Sequence, residues 1–169
     1  SQKTNFSFGN SQILFKEDKT IEDNQLNYYI LPNGEDTFAY TPEYSGQYHI
    51  EDLNNDVLVN INGNNSNKSS FYLNQDQVNN IKLSSLTKQY GVAKLLPNEF
   101  QAGTLTLNSG ERYIYSYNPE VSSYHRINAM GYSIKILNEY FEEIDFSDNL
   151  LDFYFNSDQT YYIIFINNN

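Results

Sequence analysis

The chain has no cysteine and no tryptophan, one methionine, 4 prolines, and only 10 lysines and arginines among 169 residues. Without cysteine there are no disulfides and no thiolate metal sites, so stability has to come from packing. The 10 basic residues stand against 21 Asp and Glu, a net charge of −11. A field of that sign repels phosphate backbones and anionic lipid, so no nucleic acid partner is expected. No apolar run reaches the length of a membrane span, which argues against membrane insertion, and no stretch reads as a signal peptide. Nucleophile elbows, zinc-binding His-Glu-x-x-His pairs and Gly-rich phosphate loops do not occur either.

Aromatic residues and repetition are plentiful. The chain carries 16 Tyr and 11 Phe, and each ring can bury about 150–250 Å². Residues 71–81 read FYLNQDQVNNI and residues 153–163 read FYFNSDQTYYI, identical at six of eleven positions at a constant offset of 82. Upstream, Phe38–Glu43 (FAYTPE) is echoed by Tyr115–Glu120 (YSYNPE), and Tyr48-His49 by Tyr124-His125, which holds the other of the two histidines. Self-similarity in conserved order predicts two tandem copies of one unit, residues 1–88 and 89–169. A unit of roughly 80 residues buries only about 60% of its unfolded surface, so the two are expected to pack on each other.

Strand signals dominate both copies. Val57, Val59 and Ile61, then Tyr113, Tyr115 and Tyr117, then Tyr132, Ile134 and Ile136 alternate with other residues at a period of two. Asn33-Gly34, Asn62-Gly63 and Ser109-Gly110 supply turns that tolerate positive φ. Phe6, Phe8, Ile13, Leu14 and Phe15 predict an entering strand, Asn62–Ser70 a loop, and Ser84–Tyr90 the hinge between units. No stretch sustains a helical apolar stripe; 137–151 comes nearest and reads equally well as strand and loop. The fold class is all-β, as two tandem small antiparallel β-sandwiches of jelly-roll-like form.

The chemistry on offer is sparse. His49 and His125 occupy matching places on separate copies, whereas a catalytic pair must converge on one pocket. A glycosidase needs two carboxylates a defined distance apart in a cleft, and Glu43 and Glu120 are better explained as turn residues after proline. No catalytic residue is assigned. Asp52-Leu53-Asn54-Asn55-Asp56 places oxygens at alternate positions, as a calcium loop does at its start, yet Val57 and Gly63 stand where an EF-hand needs Gly and Glu. What remains is either a calcium site on Asp52, Asn54 and Asp56 or a plain polar turn; no other cofactor is expected. The corresponding Asn128-Ala129-Met130-Gly131 cannot chelate.

The rhythm Phe38–Ile50 (FAYTPEYSGQYHI), with its Pro-x-x-Ser-Gly-x-Tyr turn, followed by a medial apolar strand, a polar loop and a closing aromatic strand pair, resembles the bacterial pre-peptidase C-terminal type of domain. The second copy departs from it at Pro119–Tyr124, which lacks the glycine. That resemblance implies an accessory, non-catalytic domain of a secreted or cell-surface bacterial protein, sometimes assisted by calcium.

Two functions are compatible with these features. With Phe71 and Leu73 facing a core, Tyr72 faces out, and by the repeat so does Tyr154. Exposed tyrosines of this kind can stack on a glycan or dock a surface protein, making the chain a binding or adhesion module, with a role in virulence. Tyr161–Ile166, by contrast, is apolar on both faces and has to be covered on both. Its face with Tyr162, Ile164 and Ile166 is expected at an interface with the other copy or with other domains of a larger chain. The alternative reading is therefore a structural spacer or assembly domain of a toxin, adhesin or hydrolase. The chain opens and closes in strand-like sequence, which suits a piece of something longer.

Overall fold

In the computed structural model the chain is all-β, and no helix occurs among the described residues. These are 35–52, 56–85 and 91–169, with the backbone alone at 5–8, 11–14, 20–21, 26–30 and 91–92. The turn expected at Asn33-Gly34, Phe15, Asn54 and most of the expected hinge (86–90) lie outside them. The chain divides into two compact units, one of residues 1–42 and 48–96, the other of 43–47 and 97–169.

The first unit begins with the hairpin β1 (Asn5–Phe8) and β2 (Ser11–Leu14). Next come β3 (Thr20–Ile21), β4 (Leu26–Ile30), β5 (Glu35–Tyr40) and β6 (Gly46–Asp52). The remaining strands are β7 (Val57–Ile61), β8 (Asn64–Ser66), β9 (Phe71–Leu73), β10 (Asn79–Ser85) and β11 (Gly91–Pro97). They form a five-stranded sheet, β3-β5-β10-β7-β8, and a four-stranded sheet, β4-β11-β6-β9. Burial alternates along β5, β6, β7, β9 and β10, as period-two sequence requires. Tyr40 of one sheet meets Tyr48 of the other edge to face, ring centroids 6.4 Å apart.

The Asn62–Ser70 stretch is a loop only in part. Asn62 (φ 51°) and Gly63 (φ 87°) both sit in the left-handed region, the backbone of a two-residue hairpin turn whose twist matches its strands. The chain therefore returns as β8, with Asn60 opposite Asn65. β8 reads Asn-Asn-Ser, with no apolar residue to reveal a strand.

The second unit holds β12 (Arg112–Tyr117), β13 (Ser123–Leu137), β14 (Glu143–Phe155) and β15 (Tyr161–Ile166) in one sheet of order β12-β15-β13-β14. The 137–151 region is the end of β13, a tight turn and most of β14. The outer edge of β12 is closed by two parallel bridges, Ser45 to Tyr113 and Glu99 to Ser116. Phe155, Tyr161, Ile163 and Phe165 form the core of one face together with Ile134 and Ile136. Every residue of β15 from Tyr161 to Phe165 is buried, so both of its apolar faces are covered.

The ladders follow the sequence repeat. Ile81 pairs with Phe38 on one side and Ile61 on the other; Ile163, 82 residues on, pairs with Tyr115 and Ile136. The strand order β5-β10-β7-β8 recurs as β12-β15-β13-β14. In the second unit, however, single long strands replace pairs of short ones. β13 does the work of β6 and β7 by bending at a register shift between Asn128 and Ser133, where Gly131 (φ 88°) and, opposite, Asn149 (φ 64°) take left-handed backbone.

Candidate ligand-binding surfaces

The antiparallel register of β13 and β14 sets residues of one face directly opposite each other: Tyr124 with Tyr154, Arg126 with Asp152, Asn128 with Leu150. All six are exposed. The tyrosine rings meet edge to face at 5.0 Å. Beside them the Arg126 guanidinium donates to both Asp152 oxygens, at 2.7 and 2.9 Å. That contact holds the Asp152 carboxyl below its ordinary pKa and raises that of Arg126. The result is an aromatic shelf flanked by a fixed planar ion pair. Tyr154 (43% exposed) was expected at the surface; Tyr124 (78%) and the Arg126–Asp152 pair were not singled out. Their juxtaposition depends on the β13–β14 register, set by the tight turn at Asn138–Glu142 together with the register shifts at Ile136/Leu137 and Asn128/Ser133.

Opposite this shelf, the other face of the sheet carries a groove of about 580 Å³. Its outer wall is the segment 100–107, pinned at both ends. The Phe100 amide donates to the Ser116 carbonyl at 2.7 Å, and the Leu107 amide donates to the Tyr132 hydroxyl at 3.0 Å. The Asn167 carboxamide donates to the Leu107 carbonyl at 3.0 Å. Between the pins, Gln101–Thr104 are exposed. Half-buried rings furnish the inner surface: Phe100 stands perpendicular to Tyr115 and to Tyr117, both at 88°, and Tyr117 is edge to face with Phe155 at 4.9 Å. Burial, with the neighbouring Tyr113 second, pushes the Tyr115 hydroxyl up to about 12. His125 lies along the rim, edge to face with Tyr117 and Phe155 and hydrogen-bonded to the Ser123 hydroxyl at 2.9 Å. The Tyr113-Tyr115-Tyr117 alternation was the sequence signal for this wall; the loop that closes it has no motif.

Tyr72, in the first unit, is 41% exposed between buried Phe71 and Leu73. His49 is half-buried and contacts Glu51 at 3.2 Å. In the second unit Tyr162 and Ile164 are buried and Ile166 is half-buried, with Phe141 stacked on Tyr162 at 4.2 Å.

Asp52 and Asp56 are engaged within the first unit. One Asp52 oxygen accepts from the Asp56 and Val57 amides at 2.7 and 3.1 Å, and the other binds Lys68 at 2.9 Å. Asp56 accepts from the Ser85 hydroxyl at 2.8 Å. These contacts clip the turn between β6 and β7. Among the described residues no cluster of three His, Asp or Glu side chains could hold a metal.

Compared with family models and with curated proteins, the chain matches none; its function is therefore argued from these surfaces.

Proposed function

We propose that the chain is a non-catalytic binding module of a secreted or cell-surface bacterial protein, built as tandem β-sandwiches, that recognises a glycan or a surface protein through exposed tyrosines. The observation that carries this reading is the Tyr124–Tyr154 shelf beside the Arg126–Asp152 pair. Two rigid amphipathic rings and a planar ion pair, all at the surface of one sheet, present contact area at small entropic cost. Exposed residues of this size contribute little to holding a fold together, so their place on one face favours recognition. The pre-peptidase C-terminal resemblance points the same way, to an accessory role beside other domains.

The alternative, a spacer or assembly domain, draws support from tyrosines that serve the core: Tyr40, Tyr44, Tyr48, Tyr113, Tyr161 and Tyr162 are all buried. Calcium on Asp52, Asn54 and Asp56 belongs to either reading as an accessory; a chelator-dependent shift in Tm would support it.

The test is a glycan and matrix-protein array read with wild type, a Tyr124→Ala/Tyr154→Ala variant and Tyr72→Ala. Binding that the double variant loses at unchanged Tm is the expected result. Silence of the wild type across both panels would favour the spacer.

A further inference from the structure

We infer that the groove between segment 100–107 and the sheet of the second unit is a binding site for a neutral saccharide. This deepens the recognition reading and rests on it, but it uses the face opposite the tyrosine shelf.

Three observations define the occupant. In a chain with 21 Asp and Glu and a net charge of −11, no carboxylate among the described residues lines the groove. A cationic ligand would find no counter-charge there. The guanidinium of Arg126 lies on the shelf face, matched by both Asp152 oxygens, so an anionic ligand in the groove would find no free arginine. A neutral ligand meets neither obstacle.

Next, the inner surface is aromatic and only half-buried, with Phe100 perpendicular to both Tyr115 and Tyr117 at its core. Ring surfaces of this kind suit the apolar C–H face of a pyranose. The rim, finally, carries neutral donors and acceptors. Gln101 and Tyr117 are among the residues lining the groove, and the Gln101 carboxamide and Tyr117 hydroxyl make no hydrogen bond to other described residues. Hydroxyls on the edge of a sugar ring supply the matching partners, as orienting polar groups do in other small-molecule sites. The volume, about 580 Å³, falls within the roughly 300–1,000 Å³ of such sites.

The experiment is calorimetric titration of neutral gluco-, manno- and galacto-oligosaccharides, with uronic-acid and amino-sugar oligomers and a fatty acid as comparison ligands. Four proteins are compared: wild type, Ala129→Trp, which fills the groove from β13, Gln101→Ala/Tyr117→Phe, which keeps the rings and removes rim polar groups, and Tyr124→Ala/Tyr154→Ala on the opposite face. Thermal melting of each checks the fold. The expected result is binding of a neutral oligosaccharide that is abolished in Ala129→Trp, weakened about tenfold or more in Gln101→Ala/Tyr117→Phe, and retained in the shelf variant. Should Ala129→Trp fail to fold, the rim variant decides alone. Saccharide binding lost only in the shelf variant would overturn the groove assignment and leave the recognition reading intact. A preference for charged sugars or for the fatty acid would overturn the neutral-saccharide assignment. No binding of any sugar would overturn it too, and the recognition reading would then rest on the matrix-protein panel.

Discussion

Tyr48 and Tyr124 occupy the same place in the two copies of the sequence repeat, each followed by histidine, yet Tyr48 is 0% exposed and Tyr124 78%. The ladders around them agree, since Ile81 and Ile163 have corresponding partners on both sides. The repeat has thus preserved the backbone register and not the use of each face. Register fixes which side chains share a face, whereas whether that face is buried depends on what lies over it. In the first unit β6 lies between β11 and β9 in the four-stranded sheet, separate from the sheet of β7, and Tyr48 meets Tyr40. In the second, the matching stretch is the first half of a continuous strand. There Tyr124 turns to solvent while His125 takes the side facing the groove.

That comparison can be broken or sharpened in three ways. Tyr48→Ala is expected to cost about 3–5 kcal/mol, as deletion of a buried aromatic does, and Tyr124→Ala no more than about 1 kcal/mol. Urea denaturation of the two variants reads the difference directly, and equal losses would refute the contrast in facing. The link between the paired segments gives the next largest effect. In the first unit it is a turn clipped by Asp52, whose side chain is 4% exposed. Asp52→Ala leaves two amides and the Lys68 ammonium without their acceptor, at about 2–4 kcal/mol. In the second unit the link is a bulge at Gly131, and Gly131→Ala is expected to cost about 1 kcal/mol. The added methyl would meet nothing within 4 Å, so the penalty is conformational. The reverse ranking in urea would sink this account of the two connections.

The smallest effect concerns the shelf. Arg126 lowers the Asp152 pKa, so the pair stabilises the fold above the ordinary aspartate value, and the contribution fades as pH falls through the depressed one. Both groups are at the surface, so the stability difference between wild type and Arg126→Ala is expected to be slight at neutral pH and absent in strong acid. Titration of the Asp152 side chain by NMR supplies the sharper readout: it should move up in Arg126→Ala, and an unchanged midpoint would show that the contact does not persist in solution.

Much of the fold was legible in the chain. Period-two alternation marked β7, β12 and the second half of β13, and the two-sided apolar run Tyr161–Ile166 marked a strand buried on both faces. β8 was hidden because Asn64–Ser66 carry no apolar residue and depend on the positive-φ turn before them. The fusion of two short strands into β13 was hidden for a different reason. Asn128–Gly131 reads as a turn, and only pairing with β14 shows that it is a bulge in continuous strand. The site was legible one residue at a time. Tyr154 was visible from its neighbours, but its company of Tyr124, Arg126 and Asp152 is a property of register. The groove depends on a loop tied to distant residues, for which local sequence holds no signal.

The parallel bridge from Ser45 has a bearing on synthesis at the ribosome. Residues 43–47 run from the loop after β5 into the start of β6 but belong to the second unit, where the Arg112 side chain donates to the Glu43 carbonyl across 69 residues of sequence. At about 5–20 residues per second, the translating chain would carry this segment for roughly 3–14 s before Arg112 is made. The connection inside the first unit therefore cannot settle when that unit's own strands are complete. Its last hydrogen bonds wait for sequence not yet translated.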